Sequence, residues 1–397
     1  MILQNRSILL GVTGGIAAFK AVTLCSHLIK GGALVDVILT DAARQFVAPL
    51  TFQALSHRPV VTEMFALLNE TDIGHVSLAK RADLMVIAPA TANTIAKLAA
   101  GMADNMVTAT MLATEAPILL APSMETHMWS NPLTQDNLAR LIRLRDVTVV
   151  GPAEGGLASG ATGPGRMAEP EDVLDAACWV LARRGPLAGR KIIVTAGGTR
   201  EPLDPIRFLG NRSSGRMGYA LARAARDRGA HVTLISTTGQ PAPFGVEWVP
   251  VQTAAEMADA TLEAFGRADA LLMAAAVADY RPAAAADQKI KKAKDGLTLD
   301  LVRTTDILAQ VADLRRADQV VVGFAAETQD LLPNAREKLQ RKRLDLIVAN
   351  DARQAMGADT NQVTLIGADG SVRELPVLPK ETVAEQVLDR VTDLLTA

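Results

Sequence analysis

The 397-residue chain is too long for one small core and has the length of two domains. Hydrophobic residues make up 49% and charged residues 21%, which excludes a disordered chain and fits packed soluble folds. With 41 basic against 43 acidic residues and a net charge of −2, the broad positive field of a nucleic-acid binder is absent.

Two cysteines, Cys25 and Cys178, each lie inside an apolar helical pattern. They form no disulfide framework and no CxxC metal site, so a reducing cytoplasm is the expected compartment. The N-terminal MILQNRSILLG has an apolar run too short for a signal peptide and runs into a glycine turn. No run of about 20 apolar residues is free of charges and breakers, so no membrane span is predicted.

From Ser7 to Val150 short β-branched runs alternate with helical stretches. SILLG (7–11), LVDVILT (34–40), LMVIAP (84–89), PILLAP (117–122) and VTVVG (147–151) read as buried strands. Such alternation predicts a doubly wound parallel sheet with helices on both faces. The small-residue stretch 151–165 has no periodicity and reads as a mobile lid or a linker. EPEDVLDAACWVLARR (169–184) reads as a helix, and GPLAGRK (185–191) as a boundary. The strand grammar then restarts with KIIVTAGG, HVTLIS, ADALLMAAA, QVVVGFAAE and LDLIVAND. Two α/β domains are expected, 1–188 and 189–397.

The first strand enters Gly11-Val12-Thr13-Gly14-Gly15-Ile16-Ala17-Ala18, a tight turn that presents the next helix's free N–H groups. A purely structural turn accounts for it equally well. The pattern is GxxGG rather than GxGxxG, which argues against a nicotinamide dehydrogenase. Pro89-Ala90-Thr91-Ala92-Asn93-Thr94 opens another helix at a strand's carboxyl end, where ligands sit in such sheets. Asn93 alone also reads as a helix cap. Asp72 is a candidate N-cap that puts His75 in a first helical turn, where a neutral imidazole can act as a base. A surface or capping histidine explains His75 as readily.

In the second half, Val194–Arg207 and Leu209–Gly218 join a strand to a helix through small residues, Asn211, Arg212, Ser213 and Ser214. Exposed N–H groups and these donors suit a phosphate or a developing oxyanion. Ala274–Pro282 closes the central strand, and Lys289-Ile290-Lys291-Lys292-Ala293-Lys294 follows. Lysines on a loop can cover a polyphosphate as point charges. Lys338 and Lys342, four apart, share a helix face.

Residues 5–184 resemble the flavin-dependent cysteine decarboxylases, a homo-oligomeric flavodoxin-like family. The strings that carry the resemblance are GVTGGIAAFK, GHVSLA, PATANTIAKLAxGxAD, PSMETHMW and GPGRMAEP. It implies FMN at Gly14, Gly15, Ile16, Ala17, Thr40, Pro89, Thr91, Ala92, Asn93 and Thr94, with His75 serving decarboxylation. Two positions depart from the family. Glu125 stands where PxMNxxMW has its asparagine, and Ser159 where the lid carries a cysteine. A hydroxyl is a far weaker acid than a thiol.

Residues 189–395 resemble phosphopantothenate–cysteine ligase, a Rossmann-like α/β domain. The two halves together resemble the bacterial bifunctional enzymes of coenzyme A biosynthesis. The resemblance implies CTP-dependent ligation of L-cysteine to 4′-phosphopantothenate through an acyl-cytidylate, followed by flavin-dependent decarboxylation to 4′-phosphopantetheine. Asn211 and Lys289 would be catalytic. Met273, Ala274, Ala275, Asp279, Lys289, Thr305, Asp306, Ile307, Leu308, Phe324, Lys338 and Lys342 would hold CTP. Arg207, Asn211, Ser213 and Ser214 would hold phosphopantothenate. Mg²⁺ would sit mainly on the nucleotide phosphates. Homo-oligomers are implied, with ligase dimers and flavin-domain trimers. A ligase whose flavin half only binds or assembles is the alternative raised by Glu125 and Ser159.

Overall fold

The computed structural model describes residues 2–64, 74–292, 297–327, 329–351 and 358–396. Two compact units divide the chain, Met1–Ala182 and Arg183–Ala397.

The first unit carries strands β1 (Ser7–Val12), β2 (Leu34–Leu39), β3 (Val60–Val61), β4 (Leu84–Ala90), β5 (Ile118–Pro122) and β6 (Val147–Val149). They form a six-stranded sheet in the order β3-β2-β1-β4-β5-β6, paired parallel throughout. β4 and β5 are buried at every residue, as a sheet covered on both faces requires. The doubly wound class expected from the alternation stands, with its switch point between β1 and β4. Around the sheet lie α1 (Ala18–Lys30), α2 (Pro49–Ser56), α3 (Gly74–Arg81), α4 (Ala92–Ala100), α5 (Met106–Ala113), α6 (Thr126–Ser130), α7 (Pro132–Leu144) and α8 (Pro170–Ala182). α1 buries Ala18, Ala21, Leu24, Cys25 and Leu28, a stripe at helical spacing.

The aperiodic stretch after Val150, expected as a lid or a linker, has regular structure of its own. It folds as an antiparallel hairpin, β7 (Ala153–Gly156) with β8 (Thr162–Arg166). Its glycines hide any period-2 pattern but permit close approach. A Cβ on Gly165 would stand 2.3 Å from the Met124 carbonyl oxygen, and the Met124 amide donates to the Gly165 carbonyl at 3.0 Å.

The second unit begins before its first strand, since Leu187 is fully buried in its core. Its strands are β9 (Lys191–Ala196), β10 (Arg200–Pro202), β11 (Phe208–Gly210), β12 (His231–Ser236), β13 (Glu247–Pro250), β14 (Ala270–Met273), β15 (Tyr280–Pro282), β16 (Leu301–Arg303), β17 (Val320–Glu327) and β18 (Leu346–Asp351). The main sheet runs β13-β12-β9-β14-β17-β18, parallel, then closes with antiparallel strands Val363–Gly367 and Val372–Glu374. Short pairs β10–β11 and β15–β16 stand apart from it. α9 (Arg216–Arg226), α10 (Ala254–Phe265), α11 (Ile307–Leu314), α12 (Leu331–Arg341) and the C-terminal helix Lys380–Thr396 cover the faces. β9, β14 and β17 are neighbours, so the loops leaving them share one carboxyl edge.

Candidate active sites

At the carboxyl edge of the first sheet lies a cavity of about 900 Å³. It is lined by Gly14–Ala17 after β1, Thr40–Ala42 after β2, Thr91–Thr94 after β4, Ser123–Glu125 after β5, and parts of the β7–β8 hairpin. Gly14 is needed for closeness. A Cβ there would meet the Ala42 Cβ at 2.3 Å and its carbonyl carbon at 2.9 Å. Thr13, buried, ties two walls together. Its hydroxyl donates to the Pro89 carbonyl at 2.7 Å and accepts the Thr91 amide at 3.3 Å.

The helix starts after β1 and β4 both line this cavity. α4 is capped by Thr91, whose hydroxyl accepts the Thr94 amide at 3.3 Å. α1 has Ala17 at its N-cap and no side-chain cap bond. The Ala18 and Lys20 amides donate to the Gly15 and Ala17 carbonyls, and with no side-chain cap the helix start and its dipole suit an external anion. Ile16 and Phe19, 64% and 60% exposed, offer apolar surface beside them. An anion seat next to apolar walls fits a phosphate-bearing aromatic cofactor. Lys97 pairs with Asp104, whose carboxyl is held below its usual range chiefly by that hydrogen bond.

The sequence-derived residues Gly14, Gly15, Ile16, Ala17, Thr40, Thr91, Ala92, Asn93 and Thr94 all line the cavity, and so do Glu125 and Ser159. Glu125 is the N-cap of α6, accepting the His127 amide at 2.6 Å. Ser159 is exposed at the tip of the hairpin. Pro89 differs from expectation. It is buried inside β4 and acts through its carbonyl on Thr13, so it frames the cavity without lining it. His75 differs more. It sits half-buried on α3, which packs against α5, and is absent from the cavity lining. Its Nδ1 is buried without a hydrogen-bond partner. Asp72, read as its cap, lies outside the described residues. Lys20 and Arg166 were not singled out from the sequence, yet both line the cavity, and both pair with Glu169. The matching strings GVTGGIAAFK and GPGRMAEP already contained them.

In the second unit the sequence-derived residues gather in two groups. In one, Lys342 pairs with Asp306, the N-cap of α11, and Lys338 Nζ donates to the Phe324 carbonyl at 2.8 Å. Burial alone would raise the Asp306 carboxyl, but Lys342 and the Ala309 amide outweigh it and hold it below its usual range. Thr305 directly precedes that cap. Met273, Ile307 and Leu308, expected as CTP contacts, bury their side chains in the core. Only their main chain can face a ligand, because Met273 ends a buried strand and Ile307 and Leu308 start the apolar face of α11. In the other group, Arg207 and the segment carrying Lys289 meet through Asp204. Its carboxylate accepts the amides of Ile206 at 2.9 Å, Arg207 at 2.8 Å and Ile290 at 3.1 Å, and pairs with the Arg207 guanidinium at 3.1 Å. These donors overcome burial and keep the carboxyl below its usual range. The link from Asp204 to Ile290 is not written in adjacent residues, because the two lie 86 positions apart.

Between the groups, Asn211 Nδ2 donates to the Ala276 carbonyl at 3.2 Å, next to Ala274 and Ala275. The exposed Asp279 accepts the Thr304 amide on its own carbonyl at 3.0 Å. Ser213 and Ser214 lead into Gly215, the α9 N-cap at φ 78°, whose amide donates to the Ser213 hydroxyl at 3.4 Å. Ala293 and Lys294 lie outside the described residues.

Comparison with known proteins matches this geometry to a family. Residues 2–181 match the Flavoprotein family, and residues 187–395 match the family described as DNA/pantothenate metabolism flavoprotein C-terminal domain. The Coenzyme A biosynthesis bifunctional protein CoaBC of Bacillus subtilis is 46% identical over 400 residues, spanning 99% of this chain and 98% of that protein. The chain belongs to the CoaBC family. The CoaBC protein of Vibrio cholerae is 45% identical over 392 residues, spanning 97% and 98%, and that of Mycobacterium tuberculosis H37Rv is 46% identical over 408, spanning 98% and 97%. Like its family, the chain is a bifunctional enzyme of coenzyme A biosynthesis, with a flavoprotein decarboxylase domain followed by a ligase domain. Among the described residues, no helix is long and apolar enough to cross a membrane.

Proposed function

We propose that the ligase half, within 189–397, joins L-cysteine to 4′-phosphopantothenate at the expense of CTP. The grouping of Asp306, Phe324, Lys338 and Lys342 beside the loops of Asn211 and Lys289 carries this reading. The phosphopantothenate carboxylate attacks the α-phosphate of CTP, and pyrophosphate leaves. Cysteine's amine then attacks the acyl carbon and CMP leaves. Lys338 and Lys342 meet the nucleotide as point charges, while Met273–Ala275, Asp279 and Thr305–Leu308 frame it, the last through main-chain amides. Asn211 holds the acyl group in place and Lys289 offsets charge developing at the phosphate. Arg207, Ser213 and Ser214 receive phosphopantothenate. Mg²⁺ would be held mainly by the nucleotide phosphates, which it would neutralise.

The decarboxylase half, within 1–188, would take FMN into the 900 Å³ cavity, its phosphate toward the uncapped α1 and the Thr91–Thr94 turn. When bound, FMN supplies a reversible two-electron oxidation of the cysteinyl product, which permits loss of CO₂ and gives 4′-phosphopantetheine. Glu125 and Ser159 reach the same cavity and stand where substrate and proton donor are handled. His75 does not line the cavity of its own fold, and its buried Nδ1 has no partner there, so we assign it to the cavity of a neighbouring copy in a homo-oligomer, with trimers built by the flavin half and dimers by the ligase half. Two cysteines outside any disulfide fit a cytoplasmic enzyme.

Purified protein is supplied with 4′-phosphopantothenate, cysteine and CTP, and the products are weighed by mass spectrometry. The reading requires CMP, pyrophosphate and 4′-phosphopantetheine with the CO₂ lost. Equal turnover with ATP, or AMP in place of CMP, would overturn the nucleotide assignment.

A further inference from the structure

We propose that Asp204 is a positioning residue for amide formation, clamping the turn Leu203–Arg207 to the segment Ala286–Ile290 and so fixing Lys289 at the sheet edge. The inference rests on the assignment of Lys289 to ligation.

The Asp204 side chain is 0% exposed, and both of its oxygens are filled. Oδ1 accepts the Ile206 and Arg207 amides, and Oδ2 accepts the Ile290 amide and forms an ion pair with the Arg207 guanidinium. Two more links join the same segments. The Ala286 amide donates to the Leu203 carbonyl at 2.9 Å, and the Arg207 guanidinium donates to the Ile290 carbonyl. Residues 283–292 belong to no helix or strand. Lys289 itself is exposed and stands one residue before the clamped Ile290. A lysine has a flexible stem, so its main chain must be anchored if its ammonium is to meet one developing charge.

The chemistry of the clamp calls for a carboxylate. Every partner is an N–H donor. An ionised carboxylate is acceptor-only, whereas an asparagine would turn an NH₂ toward one pair of these donors. Burying a charge costs free energy unless it is paired and hydrogen-bonded, and here all four contacts converge on two chain segments.

The test compares full-length Asp204→Asn, Lys289→Gln and the double variant in cysteine-dependent amide formation, with thermal melting as the check on folding. Asp204→Asn is expected to lower kcat by about 10- to 100-fold, the scale of an ångström-sized misplacement. The KM for CTP should stay within about threefold. The double variant should be no slower than Lys289→Gln alone, because a residue acting through another is non-additive with it. If Asp204→Asn keeps its full effect in the Lys289→Gln background, Asp204 acts independently and the proposal is overturned. If Lys289→Gln alone leaves ligation intact, the assignment of Lys289 fails and the proposal falls with it, a failure the single variant identifies. Should Asp204→Asn not fold, Ala286→Pro takes its place in the cycle. It removes the Ala286 donor and leaves the carboxylate, and additivity with Lys289→Gln would again overturn the clamp.

Discussion

The two candidate sites are built from different material. The flavin-half cavity is built at strand-to-helix turns, where Gly14 allows close approach and contiguous strings supply the walls. The ligase site is made of side chains on loops, drawn together by Asp204, Asp306 and their cationic partners. The first should fail when volume is added. The second should fail when charge or acceptor geometry changes.

The largest expected effect tests that division directly. Lys289→Gln should lower amide formation by about 10²–10⁴-fold while flavin content, read from visible absorbance, stays unchanged. Loss of flavin in that variant would mean that the two halves do not separate in this way. The opposite probe is Gly14→Val, whose new side chain meets the Ala42 main chain. Overpacking of about 1–3 kcal/mol should weaken flavin retention by about 10- to 100-fold, and ligation should survive.

A pH effect should also be confined to the first unit. Burial pushes the Cys25 thiol up from 9.0 to about 11, favouring the neutral form in the fold. That contribution is complete below pH 9.0, because folded and unfolded chains are then both protonated. It is lost as pH climbs toward 11, where the unfolded chain ionises first. Up to about 3 kcal/mol should vanish across this window. Alkaline melting should therefore affect the flavin half, and Cys25→Ala should flatten the dependence. An unchanged slope in Cys25→Ala would point to another group.

Smaller effects sharpen each site. Lys342→Ala should raise the KM for CTP by about tenfold, the scale of one charge-assisted hydrogen bond. An unchanged KM would leave Lys342 as a structural partner of Asp306 alone. In the first cavity, Glu125→Ala removes both the cap of α6 and the carboxylate, whereas Glu125→Asn keeps an acceptor for the cap. Loss of the cap should cost about 1 kcal/mol in the alanine variant and little in the asparagine one. CO₂ release should fall in both if the carboxylate serves the reaction, and in the alanine variant only if the cap is what matters.

Much of this was legible along the chain. Alternating apolar runs announced two doubly wound sheets, because a strand buried on both faces must be apolar at every position. The glycine turn and the PATANT string pointed to the cavity, because contiguous residues make those walls. Three features were not legible in the same way. The hairpin 153–166 was hidden because glycine carries no side-chain period. The role of Pro89 was not legible because a motif residue can act through its carbonyl from inside a strand. The inward side chains of Met273, Ile307 and Leu308 were not legible because a motif names residues without saying which way they face.

What the sequence by itself determined is local: which segments become strands and helices, and which short strings offer amides, carboxylates and lysines. What only the tertiary structure decided is which distant groups share a charge or a space. Asp204 meets Ile290, Asp306 meets Lys342, Gly14 meets Ala42, and His75 does not line the cavity of its own fold. Periodicity follows from the geometry of one element and is written in adjacent residues. Pairing across loops depends on how elements stack, and adjacent residues do not record it.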